Sequence, residues 1–271
     1  MLDPTVEAKF EEVKRRLRGH GVLVAFSGGV DSAVLALLAK ESAARTALLT
    51  VDSVLLSRGE VSAARKTAEE LGLPIEVVSV DELGSPGVAE NPVTRCYFCK
   101  KELSRVWLDK ARELGLDLVV DGTNASDARG HRPGAKALTE AGVVSPFREA
   151  NITKDEIRAY ARHRGLSVAD RPSMACLASR FPYGTRITEE RVRMVDEVEH
   201  TVRRLFDVQC VRARFHGDVV RIEVGRDEMT KMFDQSRLEQ LAKHAKSVGF
   251  KYVALDVEGY RTGAMDEVLS R

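Results

Sequence analysis

One stretch, "LVAFSGGVDSAVLALLAK" from Leu23 to Lys40, does most to limit what this chain of 271 residues can fold into. A β-branched run leads straight into two adjacent glycines and then into an apolar periodic segment, which predicts a strand, a tight turn and a helix. Ligands collect at the carboxyl ends of strands in open α/β sheets, so Ser27, Gly28, Gly29, Val30, Asp31 and Ser32 fall where a ligand would sit. Paired glycines turn without a Cβ penalty and aim successive N–H groups at an anion, which the start of the helix also favours. Phosphate is the natural occupant; a tight turn with no ligand is the alternative. The loop is not GxxxxGK[ST] and has no lysine of its own to reach terminal phosphates, which disfavours kinase-like γ-phosphoryl transfer.

From Val22 onward the pattern alternates between "VLVAF", "TALLTVD", "IEVVSV" and "DLVVDG" and helix-like segments near residues 32–44, 59–71 and 97–114. These lengths suit right-handed crossovers around a buried, mostly parallel sheet. Thr153 and Glu156 are spaced as a capping box, opening a further helix that closes at Gly165. The expectation is a doubly wound, Rossmann-like α/β domain over residues 1–168. Residues 169–187, "ADRPSMACLASRFPYGTRI", break the rhythm with Pro172, Pro182 and Gly184 and read as a functional joint. Residues 188–271 read as a smaller α+β domain: Thr188 caps a helix with Val192, Val195, Val198, Val202 and Leu205 on one stripe, then a hairpin, a helix and the strand "KYVALDV" follow.

Composition adds exclusions. Forty-two basic and forty-one acidic residues give a net charge of +1, so bulk charge calls for neither nucleic acid nor a membrane surface. No apolar run approaches the roughly 18 residues of a membrane span, and the charged amphipathic start is no signal peptide, so a cytoplasmic protein is expected. Four cysteines there are expected to be reduced, catalytic or metal-bound and not paired as structural disulfides. Cys96 and Cys99, three apart in "RCYFCK", would share one face at a helix start, a pair with too little context to specify zinc. Cys176 adds a third sulfur from the joint, and thiolates are the soft ligands of iron–sulfur clusters. Small buried hydrophobes are the alternative reading of the first two. Cys210 is assigned no catalytic role.

In "QCVRARFHGDVVRIEV" a two-residue turn at Gly217 and Asp218 pairs His216 with Val219. Val211, Ala213 and Phe215 then share an apolar face with Val220, Ile222 and Val224, and the other face sets Arg214 opposite Arg221 and Arg212 opposite Glu223. Two arginines facing each other repel unless an anion or solvent separates them, so Arg212 and Arg214 are either a clamp for phosphate or carboxylate or part of a solvated surface. Arg180 is a candidate to steady an adenylate, with a surface role as the alternative. Thr123 and Asn124 in "DGTNASD", and Asp52 and Ser53 ending "LLTVDS", are candidate nucleotide contacts; a simple turn and a helix start are the bland readings. "REANITKDE" reads as an ordinary exposed face.

"SGGVDS" resembles the PP-loop of the ATP pyrophosphatase superfamily over the first 150 or so residues. Together with "RCYFCKKEL", "DGTN", "RPSMACLASRFPYGTRIT" and "GYRTG", the resemblance narrows to the LarE family and spans nearly the whole chain. It implies an ATP- and Mg2+-dependent sulfur transferase. Each carboxylate of a pyridinium biscarboxylate mononucleotide is adenylylated with release of pyrophosphate and converted to a thiocarboxylate with release of AMP, on the way to the nickel-pincer nucleotide of lactate racemase. Cys176 falls at the family's sulfur-bearing position. Some members sacrifice that cysteine's sulfur; three-cysteine members use a [4Fe–4S] cluster, here implying Cys96, Cys99 and Cys176 as ligands. Lactate-racemase maturation proteins as partners and a homo-oligomer are implied as well. The rivals are a tRNA thiolation enzyme, which would need a basic, salt-sensitive RNA surface, an ammonia-dependent amide-forming synthetase, and an ATP sensor without chemistry.

Overall fold

The computed structural model describes residues 2–128, 133–172, 175–261 and 263–265. It divides into two compact units: Met1–Ser53 with Arg58–Glu82 and Thr94–Ser173, and Val54–Ser57 with Leu83–Val93 and Met174–Arg271. Residues 173 and 174 of the joint, and Thr262 of "GYRTG", lie outside the described residues.

The first unit is built on four parallel strands, β1 (Gly21–Ala25), β2 (Arg45–Asp52), β3 (Ile75–Ser79) and β4 (Leu118–Val120), in the order β3-β2-β1-β4. Each of the four predicted apolar runs forms one of them. β1 is central and covered on both faces, which is why it is apolar throughout and not alternating. Val22 and Val24 point into a core with α1 (Pro4–Leu17), α2 (Val30–Ser42), α3 (Glu60–Leu71) and the helix Lys154–His163. Leu23, one residue out of phase, packs on the opposite face with Trp107 and Ala111 of the helix Arg95–Glu113. Helices on both faces of a parallel sheet make the doubly wound α/β architecture. The capping box at Thr153 is present in full, its side chain and that of Glu156 each meeting the other's backbone N–H.

The second unit carries a three-stranded sheet, β5 (Val211–His216), β6 (Val219–Val224) and β7 (Tyr252–Leu255), in that order. β5 and β6 pair antiparallel in the expected register, from His216 with Val219 to Val211 with Val224, and β7 adds parallel to β6. Gly217 has φ 67°, the left-handed conformation that a two-residue hairpin turn requires.

The helix Glu189–Phe206 departs from the predicted stripe. Val192, Val195, Val198 and Val202 are buried, but the stripe ends on Phe206 and leaves Leu205 half-exposed. Residues 195, 199, 202 and 206 follow a helical repeat through Glu199, which is fully buried. A carboxylate does not read as core, so the sequence pattern passes over the one position that sets the phase.

Candidate functional site

At the end of β1 the chain turns through Ser27, Gly28 and Gly29 into α2. Gly28 has φ 71°, and a Cβ there would stand 2.5 Å from the Ala64 Cα of α3, so only glycine fits on both counts. The Gly28 carbonyl accepts the Thr67 hydroxyl at 3.4 Å. Ser27 and Ser32 close the loop from within: their hydroxyls lie 3.2 Å apart, the Ser32 hydroxyl donates to the Gly29 carbonyl at 3.0 Å, and the Gly29 N–H donates to the Ser27 hydroxyl at 3.3 Å. The first N–H groups of α2, beginning at Val30, have no preceding helical carbonyl to meet, so the loop presents donors and a positive dipole end to whatever sits above it.

A second loop presses on the first. A Cβ at Gly122 would come within 3.0 Å of the Asp31 Cβ and 3.2 Å of the Ser32 nitrogen. Asp121 holds this loop by accepting the Thr123 hydroxyl at 2.5 Å and the Ser145 hydroxyl at 2.6 Å. Asn124, buried, donates its side-chain amide to Asp31 Oδ1 at 3.2 Å. "DGTN" is therefore an irregular segment packed as a wall against the glycine loop. Asp31 Oδ2 takes an ion pair from Lys154. That corrects the reading of "REANITKDE" as an ordinary exposed face, because its lysine is half-buried against a loop carboxylate 123 residues away. The signal was legible in principle: a lysine in the first turn of a helix opposes the dipole and needs a compensating partner.

At the end of β2, Asp52 is exposed and Ser53 donates its hydroxyl to Glu82. The other oxygen of Glu82 accepts the Cys99 thiol at 2.8 Å. Sequence reasoning missed Glu82, a buried carboxylate between Ser53 and Cys99. Cys96, one residue into the helix Arg95–Glu113, is exposed and Cys99 half-buried; none of the four cysteines is in a disulfide among the described residues. Among the described residues no three His, Cys, Asp or Glu side chains are gathered as metal ligands.

In the second unit Cys176 is exposed at the start of a short 3-10 turn, Leu177–Arg180. The joint is pinned, not loose: the Leu177 N–H donates to the Leu55 carbonyl at 2.8 Å, and buried Asn91 donates to the Phe181 and Pro182 carbonyls at 3.3 and 2.8 Å. Arg180 has 0% exposure, which removes the surface role held open for it. It forms a two-pronged pair with Glu199 at 2.7 and 3.1 Å and donates to the carbonyls of Ala175 at 2.8 Å and Cys176 at 3.2 Å, fixing the backbone that carries the thiol. Burial alone would push the Glu199 carboxyl up, but Arg180, Arg203 and the Ala213 N–H together hold it below the ordinary carboxylate value.

The arginine face of the hairpin is buried as well, Arg212 and Arg214 each at 4%, so it is not a solvated surface. The charge needed between Arg214 and Arg221 is supplied by the chain itself. Glu223 accepts from Arg214 at 2.7 Å and pairs with Arg221 at 3.0 Å, and Asp256 also pairs with Arg221. Glu223 sits opposite Arg212 in the ladder but bonds diagonally, a reach that long side chains have and that direct-pair reasoning leaves out. Arg212 stacks over Tyr260, centroid 4.9 Å away, and burial followed by the Arg180 charge pushes its pKa below the ordinary guanidinium value. Burial likewise pushes the Cys210 thiol above its ordinary value.

Strand, twin-glycine turn and helix, walled by the Asp121–Asn124 loop, define a PP-loop nucleotide-binding unit. The family described as "Queuosine biosynthesis protein QueC" matches residues 21–101. A Synechocystis protein described as uncharacterized is 38% identical over 98% of this chain and all of its own length. The pyridinium-3,5-bisthiocarboxylic acid mononucleotide synthase of Lactiplantibacillus plantarum is 33% identical, over 92% of this chain and 90% of its own. A glutamine-hydrolyzing GMP synthase component of Methanococcus maripaludis is 29% identical over 60% of this chain and 56% of its own. The chain belongs to the LarE family of PP-loop sulfur transferases, the family of the L. plantarum synthase.

Proposed function

We propose that this protein converts the carboxylates of pyridinium-3,5-biscarboxylic acid mononucleotide to thiocarboxylates at the expense of ATP. The observation that carries the reading is the whole-length similarity to the L. plantarum synthase, which includes both the loop unit and the unit bearing Cys176. A substrate carboxylate oxygen attacks the α-phosphorus of ATP, the bond to the β-phosphate oxygen breaks, and pyrophosphate leaves. Sulfur then attacks the acyl carbon and AMP leaves. Ser27, Gly28, Gly29, Val30 and Ser32 hold the phosphates with backbone and hydroxyl donors, and Asp31 orients Mg2+ or its waters. The Asp31 carboxylate, one-quarter exposed and placed among the loop's donors, has the oxygen chemistry magnesium takes. Asp52, Ser53, Thr123 and Asn124 are the proposed contacts to the rest of the nucleotide.

Arg212 and Arg214 are the proposed partners of the substrate's phosphate or carboxylates. Both arginines are buried on the hairpin face, where charge-assisted hydrogen bonds to an oxyanion are strong. Arg180 acts by holding the Cys176 backbone. Where Cys176 itself gives the sulfur, its thiolate forms a thioester, and loss of the Cα proton with cleavage of the Cβ–S bond leaves dehydroalanine. A [4Fe–4S] cluster, the source favoured by the three-cysteine pattern, would be held by Cys96, Cys99 and Cys176 and would supply sulfide in place of the cysteine sulfur. Action in the cytoplasm, as a homo-oligomer supplying lactate-racemase maturation proteins, completes the proposal.

Incubation with ATP, Mg2+ and the biscarboxylate tests it. Equal AMP and pyrophosphate with a thiocarboxylate product are expected, and Cys176→Ser abolishes the product; release of ADP would overturn the reading. Iron bound after anaerobic reconstitution assigns the cluster, whereas loss of the elements of hydrogen sulfide from Cys176 after turnover assigns sacrifice. Arg214→Ala raises the KM for the pyridinium substrate far more than for ATP.

A further inference from the structure

We propose that Glu82 is a positioning residue that couples the nucleotide site to Cys99, its one buried carboxylate shared between a serine that ATP recruits and a thiol that stays behind. The inference rests on the ATP reading above, in which Ser53 contacts the nucleotide, and gives Glu82 a part in it. The parallel sheet brings the groups together. β1, β2 and β3 all end at the same edge, where ligands collect in open α/β sheets. The Thr50 hydroxyl donates to the Phe26 carbonyl at 2.7 Å, so the end of β2 lies beside the start of the glycine loop. The Val80 N–H donates to the Asp52 carbonyl at 3.0 Å, which carries the chain after β3 alongside, and Glu82 opens the short 3-10 turn that follows.

Glu82 is 5% exposed and takes a donor on each oxygen, the Ser53 hydroxyl on Oε2 and the Cys99 thiol on Oε1 at 2.8 Å. Hydrogen bonds to a charged acceptor are the strong ones, and a carboxylate withdrawn from water suffers most when a donor leaves it. The two donors share one negative charge. When ATP takes the Ser53 hydroxyl, that charge falls to Cys99, so an occupied nucleotide site tightens the thiol against Glu82. Coupling of this kind is reciprocal. Removing the Cys99 donor makes Glu82 depend on Ser53, and a serine held harder is released to the nucleotide at greater cost. Occupancy at the end of β2 is thereby registered by a cysteine on a different element, the helix Arg95–Glu113.

Calorimetric titration of the full chain, without iron, with Mg·ATP tests this. Cys99→Ala should weaken ATP by about tenfold, the scale of one hydrogen bond to a charged group. Cys99→Ser keeps a donor and should recover most of that loss. In a Ser53→Ala background, Cys99→Ala should leave ATP affinity where Ser53→Ala alone puts it, because the nucleotide then draws nothing away from Glu82. The same loss in both backgrounds would overturn the proposal, since Cys99 would be acting on the nucleotide by another route. So would wild-type affinity in Cys99→Ala, or a serine variant as weak as the alanine. An infrared measurement avoids the cysteine variants altogether: one cysteine S–H stretch of the wild type should move to lower wavenumber when a non-hydrolysable ATP analogue binds, and should already stand there in Ser53→Ala. A wild-type band unmoved with the analogue bound counts against the coupling. If wild type binds no ATP under any condition, the nucleotide reading itself fails, a result distinct from equal affinities among variants that bind.

Discussion

At the loop Ser27–Ser32 the groups offered to an anion are backbone N–H dipoles and two hydroxyls, with a single ion pair that solvent still reaches. Around the β5–β6 ladder the charges are whole guanidinium and carboxylate groups, with Glu199 and Arg180 at 0% exposure. The first device costs little to fold, because glycine and a helix start supply it locally. The second stakes stability on every partner being present, because a buried charge that loses its counter-ion has no water to fall back on.

The sharpest way to break this comparison is Glu199→Ala, which strands Arg180 and should cost about 3–5 kcal/mol in denaturant unfolding. A loss no greater than that of an exposed pair would show the network to be dispensable. The same residue gives a pH signature. Its folded carboxyl titrates below the ordinary value of 4.5, so its contribution is full above that value and fades as pH falls through the lowered one. Glu199→Gln should flatten that part of the acid limb in stability-against-pH curves.

Gly28→Ala comes next. Left-handed backbone at an alanine costs about 1–2 kcal/mol before the contact with Ala64 is counted. Calorimetry should find ATP binding lost while the second unit's pH signature is unchanged. Thr153→Ala removes a cap and should lower stability by about 1 kcal/mol. Smallest of all, Arg186→Ala breaks an exposed pair with Glu90 and should leave the unfolding midpoint unmoved, which sets the floor for the Glu199 result.

Much of the first unit could be read before any coordinates. The four strands, the glycine turn and the capping box depend on neighbours within a few residues, and local periodicity and turn chemistry report those directly. The hairpin register followed for the same reason, from two turn residues and a period of two. The misses share an opposite cause. Lys154, Glu82 and Glu199 matter through partners distant in sequence, and their own segments show only a charge of ordinary appearance. The arginine face was read as needing an anion or solvent between its guanidinium groups, and the reading did not foresee that Glu223 and Asp256 supply carboxylates there.

By itself, then, the sequence determined the order of elements, the phosphate-seeking turn at Gly28 and Gly29, and which hairpin residues share a face. These are consequences of backbone sterics and side-chain spacing, which are properties of contiguous chain. Tertiary structure alone decided that Asp31 meets Lys154, that Cys99 meets Glu82, and that Arg180 is withdrawn from solvent to hold the Cys176 backbone. Coulomb attraction and desolvation depend on distance in space, and folding sets that distance between residues whose separation along the chain carries no record of it.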